Sequence, residues 1–174
     1  MNNDAISRLI QTYPDFPKLG ILFYDVSSII ENVQGLRLVV ESLTQLVEEK
    51  KPDVLAAIDS RGFLFAPPVA LACDIGVVLV RKFGKLPGET FDESYGLEYG
   101  EDVLSIQKDR QLKGQKVIII DDLLATGGTL AATETLLEKA GAKVLGSAVI
   151  IELAELNGRE RLKYPVASLT QLAG

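Results

Sequence analysis

Four short, strongly apolar runs punctuate the chain: Val54–Ile58, Gly76–Val80, Val117–Ile120 and Val144–Glu152. A strand reads this way when both of its faces are covered, because neither side meets water. Helix-length segments lie between most of these runs. Strands of this kind alternating with helices predict an α/β fold, a mostly parallel central sheet flanked by helices. In such sheets ligands bind where strands end and helices begin. That rule marks two places, Asp59 to Gly62 and Asp121 to Thr129.

The helical elements follow from spacing. Leu36, Val39, Val40, Leu43, Leu46 and Val47 recur at i, i+3, i+4 and i+7, which puts them on one helix face. Glu48 to Lys51 reads as its solvated end, and Pro52 stops it. Ile6, Leu9 and Ile10 give helical spacing to Asn3–Thr12. Phe63 to Cys73 predicts a helix whose regular part starts late, because Pro67 and Pro68 lack an N–H. Thr129 to Ala140 predicts a helix closed by Gly141. Val103 to Gln107 alternates like a strand. Four glycines and Pro87 between residues 84 and 100 predict a long mobile loop or a hairpin.

Composition narrows the function classes. The 174 residues are about one domain long, 47% apolar, with no repeat and no Gly/Ser linker, so a single domain over 1–174 is expected. The net charge of −6 argues against general nucleic-acid binding. One cysteine, Cys73, makes no internal disulfide, and its place in Val69–Cys73 is that of a small core residue. The N-terminal segment lacks the pattern of a signal peptide, and no apolar run reaches membrane-spanning length. A cytoplasmic protein without a membrane partner is expected. There is no histidine, which excludes Ser-His-Asp and Cys-His catalysis and His-ligated zinc.

The run Ile118-Ile-Ile-Asp121-Asp122-Leu-Leu-Ala125-Thr126-Gly127-Gly128-Thr129 carries the most chemistry. Ala125, Thr126, Gly127, Gly128 and Thr129 can turn several backbone N–H groups toward one point at a helix N-terminus, where a phosphate is favoured. Two carboxylates beside a phosphate make sense if they accept hydrogen bonds from the vicinal hydroxyls of a ribose. Asp121 and Asp122 alone would suit an acidic cap, but the whole run reads as a cradle for a ribose 5-phosphate. It is not a Walker A loop, because no Gly-Lys-Ser/Thr is present there. Asp59, Ser60 and Arg61 end a strand in the same way. Arg81, Lys82 and Lys85 form a basic cluster just before the glycine-rich stretch, and by themselves these charges read as a solvated face.

This run resembles that of the phosphoribosyltransferases that use phosphoribosyl pyrophosphate, PRPP. Tyr13–Phe23, Asp59–Phe65, Arg81–Gly88 and Ser94–Gly100 narrow the resemblance to the adenine-specific branch of that purine/pyrimidine family. The resemblance covers most of the chain, in order. It implies the Rossmann-like type I fold, with a small base-covering hood over about 13–30 and a flexible lid over about 84–100. It implies Mg²⁺-dependent transfer of phosphoribosyl from PRPP to adenine, giving AMP and pyrophosphate, with Mg²⁺ held mainly by substrate and water. Pyrophosphate would meet Asp59, Ser60, Arg61, Arg81, Lys82 and Lys85, with a cis peptide at Asp59–Ser60. Arg81 would reach a neighbouring subunit, implying a homodimer. Backbone groups of Leu22 and Tyr24 would pair with adenine, with Phe23 stacked on one face and Leu123 over the other. Glu98 would exchange a proton at adenine N7, with Tyr99 positioning the loop or assisting, and Arg61, Asp121 and Asp122 completing the catalytic set. Relatives often carry a basic residue where Tyr24 stands. Two alternatives stay open: a phosphoribosyltransferase for another base, and a non-catalytic PRPP-sensing regulator.

Overall fold

The computed structural model describes residues 3–97 and 100–173. Seven strands form the main sheet: β3 (Val54–Ile58), β4 (Gly76–Lys82), β5 (Thr90–Leu97), β6 (Gly100–Gln107), β7 (Lys116–Leu124), β8 (Lys143–Leu153) and β9 (Val166–Leu172). Their spatial order is β5-β6-β4-β3-β7-β8-β9. The five strands β4-β3-β7-β8-β9 are parallel, and β5 and β6 extend one edge as an antiparallel hairpin. The α/β expectation holds. Every residue of β3 is buried, as the continuous apolar run requires.

Helices cover both faces. On one side α3 (Val33–Glu48) turns Val39, Leu43 and Val47 inward, each with no exposed surface. Burying one such side chain contributes about 1.5–3 kcal/mol. Asn32 caps this helix by accepting from the N–H groups of Gln34 and Gly35. On the other side α5 (Gly128–Lys139) packs Leu130, Leu136 and Leu137 against Ile119 and Val149.

Some elements differ from the sequence reading. The N-terminal helix α1 spans only Asn3–Ser7, and Gln11–Pro14 is instead a strand, β1. It pairs antiparallel with β2 (Leu22–Asp25) in a separate two-stranded sheet, the hood. Pairing with β2 gives residues 11 and 12 more than another half turn of helix would. The helix α4 (Gly62–Ala72) begins early, with Pro67 and Pro68 inside it. Burial of Phe65, Ala66, Val69 and Ala70 on its inner side offsets the lost hydrogen bonds. By contrast, residues 84–100 lead into the β5–β6 hairpin, one of the two forms that their glycines and Pro87 predict. Helix α2 (Ser27–Glu31), strand β9 and the 3₁₀ turns Ala154–Leu156 and Gly158–Arg161 were not foreseen.

The chain leaves β3 toward β4 on one side and leaves β7 toward β8 on the other. The carboxyl ends of β3 and β7 are therefore the point at which the winding reverses, where an open α/β sheet leaves a crevice.

Candidate active site

Two turns meet in that crevice. After β3 the chain passes through Asp59, Ser60 and Arg61 into α4. After β7 it passes through Ala125 to Gly127 into α5. They come close because Gly62 lacks a side chain: a Cβ there would lie 2.6 Å from the Ile120 carbonyl oxygen. The strand β7 runs on through Asp121 and Asp122 to Leu124, so the two acids sit in the strand end rather than in the turn.

A cavity of about 280 Å³ opens between the turns, lined by Asp59, Ser60, Arg61, Tyr95 and the stretch 121–130. It brings together the predicted cradle, the twin acids and the first three pyrophosphate residues. The Asp59–Ser60 peptide is cis, as the resemblance implied. Arg81, Lys82 and Lys85 do not line this cavity. Arg81 donates to Asp59 Oδ2 at 2.9 Å, at the rim, and lies over the Phe63 ring. Lys82 pairs with Asp102 at 2.8 Å, and Lys85 is exposed.

The acids are buried, Asp121 to 8% exposure and Asp122 to 4%. Burial holds the Asp121 carboxyl well above the usual range, and the neighbouring Asp122 charge pushes the same way. Burial also raises Asp122, opposed by the Arg61 guanidinium. Arg61 Nε stands 3.0 Å from Asp122 Oδ2 without hydrogen-bond alignment, so Oδ2 and Arg61 Nη1 both lack a hydrogen-bond partner among the described residues. Two buried polar groups in one wall thus keep bonding capacity for a ligand.

A second cavity, about 440 Å³, adjoins the first through Arg61, Leu123, Ala125 and Thr126. Gly20, Ile21, Leu22, Phe23 and Tyr24 of the hood form its other wall. Arg61 lies over the Phe23 ring, 5.5 Å from its centroid. The Ile21 carbonyl accepts from Phe16 N–H on the β1 side. Alternation along β2 then points Phe23 toward β1 and leaves the backbone groups of Leu22 and Tyr24 on the other edge. Pro14 stands opposite Leu22, where no N–H is needed. That edge carries no third strand among the described residues. The Tyr24 side chain is taken up elsewhere: its hydroxyl donates to the Ala173 carbonyl at 2.7 Å and burial raises its pKa. Within β2 only Tyr24 is buried, and Leu22 is exposed.

Glu98 and Tyr99 lie outside the described residues. Two contributors to the site escaped the sequence reading. Tyr95, on β5, lines the first cavity, and its hydroxyl donates to Asp102 at 3.3 Å. Gly158 backs the cradle from a distant turn. Among the described residues no three acidic or cysteine groups gather as a metal cage. The donor set present, Asp121 and Asp122 with Oδ2 free of hydrogen bonds, suits an Mg²⁺ that keeps most of its ligands as substrate oxygens and water.

Residues 25–172 match the family described as phosphoribosyl transferase domain. The chain is 51% identical over 164 residues to the adenine phosphoribosyltransferase of Gluconobacter oxydans (strain 621H), covering 94% of this chain and 92% of that protein. It superposes with a TM-score of 0.93 on adenine phosphoribosyltransferase from Saccharomyces cerevisiae complexed with D-2,5-dideoxy-2,5-imino-altritol 1,6-bisphosphate and adenine, at 41% identity, covering 96% of this chain and 97% of that one. The enzyme from Trypanosoma brucei in complex with AMP, pyrophosphate and ribose-5-phosphate gives a TM-score of 0.89 at 26% identity, over 97% of this chain and 79% of that one.

Proposed function

Because the chain belongs to the phosphoribosyl transferase family, we propose that it transfers the 5-phosphoribosyl group of PRPP to N9 of adenine, releasing AMP and pyrophosphate in purine salvage. One observation carries this reading at the level of the site. A polar cavity with an amide-rich turn and twin acids adjoins an apolar one with a free backbone edge, the two sharing Arg61, Leu123, Ala125 and Thr126. A sugar phosphate suits the first and a flat base suits the second.

The amides of Ala125 to Gly128 and the hydroxyls of Thr126 and Thr129 hold the 5-phosphate at the N-terminus of α5. Asp121 and Asp122 accept from the ribose hydroxyls and offset positive charge as the C1′–O bond loosens. Adenine N9 attacks the opposite face of C1′, with inversion. Arg61, with Asp59 and Ser60 beside it, receives the leaving pyrophosphate, and Arg81, Lys82 and Lys85 add positive charge at the rim. Mg²⁺, when bound with pyrophosphate, would supply charge neutralisation there, and Asp121 and Asp122 are the residues that would hold it, mainly through substrate oxygens and water. The backbone groups of Leu22 and Tyr24 pair with N1 and the N6 amine, with the base between Phe23 and Leu123. Glu98 exchanges the proton at N7. The lid over 84–100 keeps water from the reacting sugar.

The working form is a cytoplasmic homodimer. Helix α4 is apolar on both sides: Leu64 and Leu71 are exposed, Leu71 with 84% of its surface, and Leu79 and Phe83, on and after β4, are exposed as well. An apolar patch of this kind suits a second copy of the chain. Arg81 lies in sequence between Leu79 and Phe83, and in this dimer it would reach toward the neighbouring subunit.

Incubating the protein with adenine, PRPP and Mg²⁺ tests the reading. AMP and pyrophosphate in equal amounts are expected. PRPP binding without pyrophosphate release from any base would leave a PRPP-sensing regulator instead.

A further inference from the structure

Behind the cradle stands a turn that no step above uses. Asn157, at φ 50, leads into the 3₁₀ turn Gly158–Arg161. A Cβ on Gly158 would lie 2.1 Å from the Ala125 carbonyl oxygen and 3.0 Å from Gly127 N. Gly127 has φ +82, and a Cβ there would lie 2.3 Å from the Gly158 oxygen. Two glycine backbones thus abut with no room for a side chain on either. One of them belongs to the cradle.

Among the described residues, Arg159 is the turn residue whose side chain ties it to the sheet. Arg159 forks onto Glu152 through Nε and Nη2, and donates through Nη1 to the Val166 carbonyl at 2.9 Å. Glu152 also accepts from Ser168 Oγ at 2.6 Å and Gln171 Nε2 at 3.1 Å. The Glu152 side chain is only 6% exposed. It stands on β8 opposite Leu124, the last residue of β7 before the cradle. The Arg159 hydrogen bonds hold the Glu152 carboxyl down at about 2, so the pair stays ionised at neutral pH.

We infer that the Glu152–Arg159 pair is a positioning element for phosphoribosyl transfer: it sets the Gly158 turn, and the Gly158 turn sets where the cradle amides point. A planar fork bonded at both prongs fixes orientation as well as distance, which a lysine cannot do. The Arg159 side chain is 47% exposed, and for stability alone an ion pair with one half in water contributes little. Amides that must converge on one phosphate do need a backing fixed to a fraction of an ångström. The inference rests on the reading of Ala125–Thr129 as the phosphate cradle.

Steady-state kinetics on Glu152→Gln, Arg159→Lys, Arg159→Met and Gly158→Ala, each with a melting curve, test it. The expected result is a PRPP KM raised tenfold or more in Arg159→Met and Gly158→Ala, with adenine KM within twofold of the parent. Glu152→Gln and Arg159→Lys, which keep part of the bonding, should show the same split at threefold or more, and they carry the test if the harsher variants do not fold. A lower melting temperature with both KM values unchanged, or both KM values rising together, overturns the positioning role. The double variant Thr126→Val/Thr129→Val touches the cradle directly. If it raises PRPP KM while the Arg159 variants do not, the positioning role alone fails. If it too leaves PRPP KM unchanged, the cradle reading falls.

Discussion

Arg61 Nε stands 3.0 Å from Asp122 Oδ2, in the crevice where β3 and β7 end side by side. One charge pair therefore ties the turn assigned to pyrophosphate to the acids assigned to ribose. The same guanidinium lies over Phe23 and so touches the base cavity too. Three subsites meet at one side chain.

Replacing Asp122 by Asn removes a charged acceptor while keeping its volume. The expected fall in kcat/KM is tenfold or more, about 1.4 kcal/mol of transition-state stabilisation. Steady-state kinetics with PRPP varied checks this, and unchanged constants would take the carboxylate out of the ribose role.

The acids should also show in the pH profile. Arg61 lowers both carboxyls, so Arg61→Met lets both rise further, and the acid limb of kcat/KM moves to higher pH. Stability runs the other way. A carboxyl raised in the folded state contributes stability below its unfolded value, ordinarily 3.8, and loses it as pH rises through the folded value. Asp121→Asn should therefore raise the melting temperature at neutral pH while lowering activity, and the gain should vanish near pH 3. A melting temperature that fell at neutral pH would contradict the buried charge as the cost.

Glu98→Ala should cut kcat by about 100-fold, in the range of a lost general acid or base, with PRPP KM within threefold. A rise in PRPP KM at constant kcat would assign Glu98 to binding instead.

Hypoxanthine and guanine present the reverse donor and acceptor pattern at the six-position. Against the Leu22 and Tyr24 backbone edge they leave buried groups unpaired, so kcat/KM at least about 100-fold below adenine is expected. A substrate panel decides it, and comparable turnover of either base would remove the hood from base selection.

Leu71→Glu and Phe83→Glu place charge on the outward apolar face. Sedimentation should show a dimer for the parent and monomer for the variants. Variants that stay dimeric would move the interface elsewhere.

The central strands and the cradle were legible because their signals are local. Val54–Ile58 is apolar without a break, and Asp121 to Thr129 is one continuous run. The hood was half legible: its strand pairing competes with the helical spacing of Ile6, Leu9 and Ile10, and pairing with Leu22–Asp25 is a tertiary choice. Pro67 and Pro68 misled for a similar reason, since only packing shows that the buried face of α4 outweighs two missing N–H groups. Gly158 was invisible because nothing in Asn157-Gly158-Arg159 announces that it will abut Gly127 thirty-one residues earlier.

A helix greasy on every side, as α4 is, has no aspect it can comfortably show to solvent. In the proposed dimer its outward leucines would make dilution a variable of the chemistry itself: as copies separate, the segment that begins at Gly62, against Asp121, would lose its cover, and the crevice should loosen with it.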